Sequence, residues 1–142
     1  MSERNKQLAE RFHTDIFKAG KLEVAEEILA PDFTIHAPGY PPEWTRGPEG
    51  TKQLAQAIRS GLPDLGITHD DVIAEGDRVM IRWTSTGTHN GEMMGVPATG
   101  KQVTLTGFDL FRVEGEKLAE LWQNWDQLGL MQQIGAIPSP PG

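Results

Sequence analysis

QVTLTGFDLFRVEGEKLAELWQNWD, residues 102–126, contains two runs in which apolar and polar residues alternate. The first run is Gln102–Val113 and the second is Lys117–Asp126, with Glu114-Gly115-Glu116 between them. Alternation with a period of two is typical of β-strands, and a short glycine-containing connection indicates an antiparallel hairpin. A similar run, Val79–Thr88, precedes them. The sequence therefore predicts an antiparallel meander of three strands.

Helices are predicted before this meander. Apolar residues recur every four residues at Leu8, Phe12 and Ile16, which indicates an amphipathic helix that ends at Gly20. Apolar faces and Gly or Pro boundaries predict the remaining segments: helices over Leu22–Leu29 and Pro48–Gly61, strands over Asp32–Ala37 and Ile67–Glu75, and a last helical turn over Gln127–Ile134. Helices followed by antiparallel strands predict an α+β fold with helices on one face of a sheet.

Composition limits the classes of function. The 142 residues fit one domain over 1–142, with a loose Pro-rich tail at 136–142. No Cys is present, which excludes disulfides, thiolate nucleophiles and Cys-ligated zinc. No signal peptide or apolar run long enough to span a membrane is evident, so we expect a cytoplasmic protein. The net charge is −7 and the 13 basic residues are scattered, so neither nucleic acid nor membrane is an expected partner.

Asp109 is the first candidate for chemistry. It is the one charge on a strand face formed by Val103, Leu105, Gly107, Asp109, Phe111 and Val113. A carboxylate in an apolar wall must find a partner, or its pKa rises. A carboxyl of raised pKa can exchange protons near neutral pH. A structural pairing with a buried donor is the alternative, and the opposite face, which carries Phe108, is also partly apolar.

Gln123 and Asp126 lie on the last predicted strand. Gln123 shares a face with Leu121 and Trp125, and its amide can donate and accept hydrogen bonds but cannot transfer a proton. Asp126 stands at the strand end, where we expect it to cap the following helical turn.

Of the histidines, His36 is the candidate for chemistry, because it ends a strand just before an aromatic loop. We expect His13 to pack on its helix stripe and His69, which lies beside Asp70 and Asp71, to be solvated. No pair of histidines has metal-ligand spacing, so no metal site is predicted. Motifs for a serine nucleophile, a phosphate loop or a dinucleotide cofactor are missing, so an acyl-enzyme or nucleotide mechanism has no support.

Two irregular segments carry candidate pocket residues. Tyr40 and Trp44 lie on the turn-rich stretch 38–47, where aromatic side chains either cover a pocket or pack on the protein's own core. Met93 and Met94 lie in the glycine-rich stretch 89–100, and flexible thioethers suit either a pocket wall or a dimer interface.

Several of these segments together resemble the SnoaL-like polyketide cyclases, also called predicted ester cyclases. The matching segments are RWTSTGTHNGE (82–92), MGVPATG (94–100), GFDLFRV (107–113), ELWQNWDQLG (120–129) and PDF (31–33) with His36. The resemblance covers about residues 5–135. It implies the NTF2-like cone, in which a curved antiparallel sheet wraps the N-terminal helices around a pocket. It also implies a homodimer through the outer face of the sheet.

The resemblance further implies an acid/base residue on the last strand, without metal or cofactor. That position falls on Gln123, a position that is histidine in some members falls on Leu121, and a polar position on the preceding strand falls on Asp109. Since glutamine carries no proton, the chemistry has either moved to Asp109 or been lost.

Three hypotheses follow. In the first, Asp109 removes a proton beside a carbonyl of a small apolar or polyketide-like compound, and His36 and Gln123 bind the oxyanion. Trp44, Trp125, Met93 and Met94 shape the cavity, and the reaction is aldol cyclisation, isomerisation or, by analogy with other NTF2-like pockets, epoxide hydrolysis. In the second, the pocket binds a ligand without chemistry. In the third, the protein is a dimer module whose interior is filled by side chains.

Overall fold

The structure, a computed structural model that describes residues 2–138, consists of helices packed against one sheet. Its elements are α1 (Ser2–Arg11), a π-helical segment (Phe12–Lys18), α2 (Val24–Ile28), β1 (Leu29–His36), a 3₁₀ turn (Pro42–Thr45), α3 (Gly47–Gly61), β2 (Gly66–Glu75), β3 (Arg78–Thr88), β4 (Gln102–Glu114), β5 (Lys117–Trp125) and α4 (Gln127–Gln133). Residues 139–142 of the predicted tail lie outside the described residues, and no helix within 2–138 is long and apolar enough to cross a membrane.

The five strands form one sheet in the order β1-β5-β4-β3-β2. The pairs β2–β3, β3–β4 and β4–β5 are antiparallel, which confirms the predicted meander and the α+β class. β1 is parallel to β5 at the edge of the sheet, a pairing that the sequence did not indicate. β1 also begins at Leu29, earlier than the predicted Asp32, and α2 is correspondingly shorter.

β4 and the helical segment before α2 meet in the core. Burial alternates along β4 as predicted, with Val103, Leu105, Gly107, Asp109, Phe111 and Val113 inside. The ring of Phe12 lies 5.0 Å from Phe17, 5.2 Å from Phe111 and 5.8 Å from Phe33 between ring centroids. Aromatic pairs at these separations add about 0.5–1.5 kcal/mol each beyond the area they bury. The cluster therefore fixes the residue after Phe12, His13, against the inner face of the sheet.

The predicted N-terminal helix is not regular along its length. From Phe12 to Lys18 it is π-helical, with more residues per turn, and Ala19 N–H donates to the Thr14 carbonyl at 3.0 Å. The wider turn buries Phe12 and His13 together with Ile16 and Phe17. Short π-helical segments are rare and often occur at functional sites.

Gly107 lies at a tightly packed point of β4. It faces Trp83 on β3 and Trp125 on β5, and an added Cβ would collide with the Trp83 ring and lie 2.9 Å from Trp125 Cβ. We expect Gly107→Ala to lower the free energy of unfolding in urea by about 1–3 kcal/mol, the usual cost of overpacking. The control Thr106→Ala, on the exposed face of the same strand, should change it by less than about 1 kcal/mol. Equal losses in the two variants would contradict this account.

Candidate active site

A cavity of about 800 Å³ opens on the inner face of the sheet. Most of its wall is apolar and aromatic, and includes Phe12, Phe17, Ile35, Leu54, Trp83 and Leu105. The six side chains predicted to contact a ligand all line it: Tyr40, Trp44, Met93, Met94, Leu121 and Trp125. The third hypothesis, in which side chains fill the interior of the protein, is inconsistent with a cavity of this size. The volume lies within the range typical of small-molecule sites.

Asp109 lies behind this wall and is fully buried. Its Oδ1 accepts hydrogen bonds from Trp83 Nε1 at 2.9 Å and from Gln123 Nε2 at 3.0 Å. Its Oδ2 lies 2.7 Å from His13 Nε2. His13, Trp83 and Gln123 line the cavity, whereas Asp109 itself does not. The carboxylate is thus the centre of a polar cluster that faces the cavity through its partners.

Strand register explains how these groups meet. Asp109 pairs directly with Gln123 across β4 and β5, so their side chains lie side by side. Trp83 pairs with Gly107, two residues before Asp109 on the same face. Because Gly107 has no side chain, the Trp83 indole lies over it and its N–H reaches the Asp109 carboxylate.

His13 is buried on its helix stripe as predicted, but that prediction is incomplete, and the prediction for His69 is wrong. His13 does not merely pack on its helix stripe, because its Nε2 binds Asp109 and its Nδ1 lies 2.8 Å from His69 Nε2. His69 is not solvated: only 13% of its side chain is exposed. The strand register explains why His69 differs from its two acidic neighbours. The β2–β3 pairing is irregular between His69 and Asp71, so Asp70 and Asp71 both face outward while His69 faces inward.

The positions of the hydrogens in this cluster follow from donor and acceptor chemistry. A carboxylate only accepts, so His13 Nε2 must carry a hydrogen to bond Asp109. When His13 is neutral, its Nδ1 is then the acceptor and His69 Nε2–H is the donor. Burial, followed by the charge of His13, lowers the pKa of His69 to about 4.

Tyr40 extends the cluster into the cavity. Its hydroxyl donates to Gln123 Oε1 at 2.7 Å, while the Gln123 amide donates to Asp109. Burial and the nearby Asp109 charge raise the pKa of Tyr40, so the phenol keeps its proton and remains a donor. Its ring stacks on Trp125 with centroids 6.4 Å apart.

His36 does not reach Asp109, contrary to the sequence prediction. Alternation along β1 buries Ile35, which lines the cavity, and therefore turns His36 to the outer face. There its Nε2 lies 2.7 Å from Glu120 Oε2 and its ring stacks on Trp122. The hydrogen bond from His36, supported by Arg112, lowers the pKa of Glu120. His36 thus belongs to a surface cluster rather than to the cavity.

Asp126 caps α4 as predicted, because its carboxylate accepts from Gly129 N–H at 2.8 Å. No group of three or more His, Asp or Glu side chains among residues 2–138 is arranged to hold a metal ion.

Comparison with known proteins identifies the family to which this chain is similar. The model of the SnoaL-like polyketide cyclase family matches residues 7–134. The structure of a proposed polyketide cyclase from Acidithiobacillus ferrooxidans is 31% identical, with a TM-score of 0.83 over 94% of this chain and 95% of that chain. IdmH from Streptomyces antibioticus, also a proposed polyketide cyclase, is 32% identical, with a TM-score of 0.79 over 92% and 98%. None of the curated proteins compared with the chain matches it significantly.

The fold is that of the NTF2-like proteins. An NTF2-like protein from Burkholderia xenovorans matches with a TM-score of 0.71 over 94% of this chain and 98% of that chain, and at 19% identity it shows the fold alone. Within this fold, the chain belongs to the SnoaL-like polyketide cyclase family. The resemblance stated from the sequence is therefore confirmed.

The three donors around Asp109 give a stability test. In Asp109→Leu they all lose their acceptor, and each buried donor left unsatisfied costs about 1–3 kcal/mol. Asp109→Asn should cost less, because Asn Oδ1 still accepts from Trp83 and Gln123. Its Nδ2 can donate to His13 Nε2 once the imidazole adopts the other tautomer. Urea denaturation of both variants measures the difference, and a leucine variant as stable as the asparagine variant would refute the bonding pattern.

His69 gives a pH test. An unfolded histidine binds a proton below pH 6.5, whereas folded His69 binds one only below about pH 4. Between these values the unfolded state holds more protons, so stability falls as the pH falls. We expect His69→Gln to reduce this loss when denaturation midpoints are measured from pH 6.5 to pH 4. The control Thr68→Gln, an exposed neighbour on β2 without a titratable group, should keep the slope of the wild type, and an unchanged slope in His69→Gln would contradict the assignment.

Proposed function

We propose that this chain is a cofactor-free acid–base enzyme that removes a proton next to a carbonyl group and so promotes aldol cyclisation or isomerisation. The observation that carries the proposal is the buried His13–Asp109 pair in the wall of a largely apolar cavity of about 800 Å³. Family membership supports a reaction of this class, since the similar structures include proposed polyketide cyclases.

His13 is the proposed proton acceptor. The sequence assigned this role to Asp109, but Asp109 does not line the cavity and His13 does. The proton would go to His13 Nδ1, the nitrogen with the lone pair, once its hydrogen bond to His69 Nε2 opens. Asp109 would orient the imidazole through Nε2 and stabilise the imidazolium that forms. Its remaining oxygen is held by Trp83 and Gln123, so the carboxylate cannot rotate away from His13 without breaking two hydrogen bonds.

Tyr40 is the proposed donor to the developing enolate, and Gln123, whose Nε2 donates to Asp109, positions the Tyr40 hydroxyl. The Tyr40 hydroxyl already donates toward the Asp109 cluster, and a substrate carbonyl oxygen that replaces Gln123 Oε1 as its acceptor would lie within reach of that donor. A donor fixed in advance stabilises charge that develops only in the transition state. His36 has no place in this arrangement.

The cavity favours a neutral, largely apolar substrate. No Lys or Arg is among the described residues that line it, whereas Glu92 is, and Asp109 lies directly behind the wall. A carboxylate or phosphate on the ligand would find no cation there. A polyketide-like carbonyl compound with flat apolar rings fits these walls, which include Trp44 and the stacked Tyr40–Trp125 pair.

Non-catalytic ligand binding is the second candidate function. One observation favours it: every hydrogen bond that orients Asp109 is already made within the protein, as expected for a structural carboxylate. Epoxide hydrolysis is less well supported, because Asp109, the carboxylate of that hypothesis, does not line the cavity. The homodimer and the cytoplasmic location remain predictions.

Proton removal can be tested without knowing the natural substrate. Neutral aryl ketones and β-keto esters are incubated with the protein in D₂O, and NMR follows the loss of the proton next to the carbonyl. We expect exchange to fall about 10²-fold or more in Asp109→Asn and in His13→Gln, the usual contribution of acid–base catalysis. The control Glu114→Gln, an exposed carboxylate on β4, should exchange like the wild type.

Two outcomes decide against the proposal. Full exchange in Asp109→Asn would show that the pair does not take the proton. Thermal stabilisation by one of the probes without exchange of its protons would favour the binding protein instead.

A further inference from the structure

Exposure increases stepwise from Asp109 toward the surface of the protein. The exposed fraction of the side chain is 0% for Asp109, 7% for His13, 13% for His69 and 38% for Glu10. Neighbouring members of this series are close: 2.7 Å from Asp109 Oδ2 to His13 Nε2, 2.8 Å from His13 Nδ1 to His69 Nε2, and 3.8 Å from His69 Nδ1 to Glu10 Oε2. The buried carboxylate thus has a continuous line of titratable groups to solvent.

This line does not run through the cavity. His13 lines the cavity, but neither His69 nor Glu10 does. A ligand that fills the cavity would therefore cover His13 from one side and leave the His69 side uncovered.

Imidazole rings can pass a proton along such a line because each ring binds a proton at one nitrogen and releases it from the other. A proton from solvent binds His69 Nδ1, and the hydrogen on His69 Nε2 passes to His13 Nδ1. His69 is left neutral with its hydrogen on Nδ1, and His13 becomes an imidazolium paired with Asp109. One proton enters and no electrons move; the reverse steps return the proton to solvent.

The surroundings of His69 suit a group that passes a proton on rather than keeping it. The charged and titratable groups that act on it are His13, Asp109, Asp70, Lys18 and, at the surface, Glu10. Burial and His13 disfavour the cation there, while the two aspartates favour it. Asp109 Oδ2 lies 2.7 Å from His13 Nε2, so the carboxylate stabilises a positive charge on His13 directly.

We propose that Glu10, His69 and His13 form a proton path that connects the buried Asp109 with solvent independently of the cavity. Its purpose rests on the proposed function: an acid–base pair that is sealed by its substrate still needs its proton content restored between turnovers. His69 does not touch the cavity and acts through His13.

The test follows the rate at which His13 gains and loses its proton. Relaxation dispersion of the His13 ring carbon, at the midpoint of its own titration, measures this rate with protons alone as the probe. In His69→Gln the side-chain amide can still bond His13 Nδ1, but it cannot relay a proton. We expect the exchange rate to fall about 10²-fold in this variant, a loss of the size seen when a positioned proton-transfer group is removed. His36→Gln, at the outer surface, should exchange like the wild type.

An unchanged rate in His69→Gln would overturn the proposal, because the proton would then arrive through the cavity. A His13 ring that keeps one protonation state across the pH range of the folded protein would overturn it as well. If the variant does not fold, scalar coupling between His13 Nδ1 and His69 Nε2 is measured in the wild-type protein instead. Detectable coupling supports the path, and its absence refutes the path. Since no substrate is involved, these results are independent of whether the pair catalyses proton removal.

Discussion

Burial of one carboxylate constrains the rest of this structure. An ionised carboxylate without partners is very costly in a protein interior, so Asp109 requires donors at fixed positions. These donors come from three different places in the chain: Trp83 on β3, Gln123 on β5 and His13 in the π-helical segment. The strand register, the missing side chain at Gly107 and the wide helical turn at Phe12–Lys18 are all arranged so that the three donors converge. A shift of one residue in any of them would remove one of the three donors.

Features that depend on neighbours in the sequence could be predicted. The alternation along β4 placed Asp109 on the buried face, the Gly and Pro boundaries located α3, and Asp126 was identified as a cap. Each of these depends on a few consecutive residues, whose spacing fixes which side chains share a face. The same is true of the wall of the cavity, because apolar side chains on the inner face of a curved sheet face the interior whatever their partners are.

Features that depend on distant partners could not be predicted from spacing alone. His13 and Asp109 are separated by 96 positions in the chain, and the residues that flank each of them do not indicate its partner. A signal was nevertheless present: one titratable ring lay on an apolar helix stripe, one carboxylate lay on an apolar strand face, and buried polar groups need partners. His36 was misplaced for a different reason, because the edge position of β1 beside β5 was unknown and with it the side of the sheet that each residue of β1 faces.

The pairing of β1 with β5 also bears on how the protein forms during synthesis. His36 and Glu120 are 84 positions apart, so the first of the five strands to leave the ribosome pairs with the last of the five. Long-range pairing of this kind slows folding, since the chain entropy must be lost before the contacts form. Phe12, in the π-helical segment, likewise gains its contact with Phe111 only when β4 has emerged. Until β5 has been made, the hydrogen-bonding groups of β1 that pair with it have no partner in the sheet.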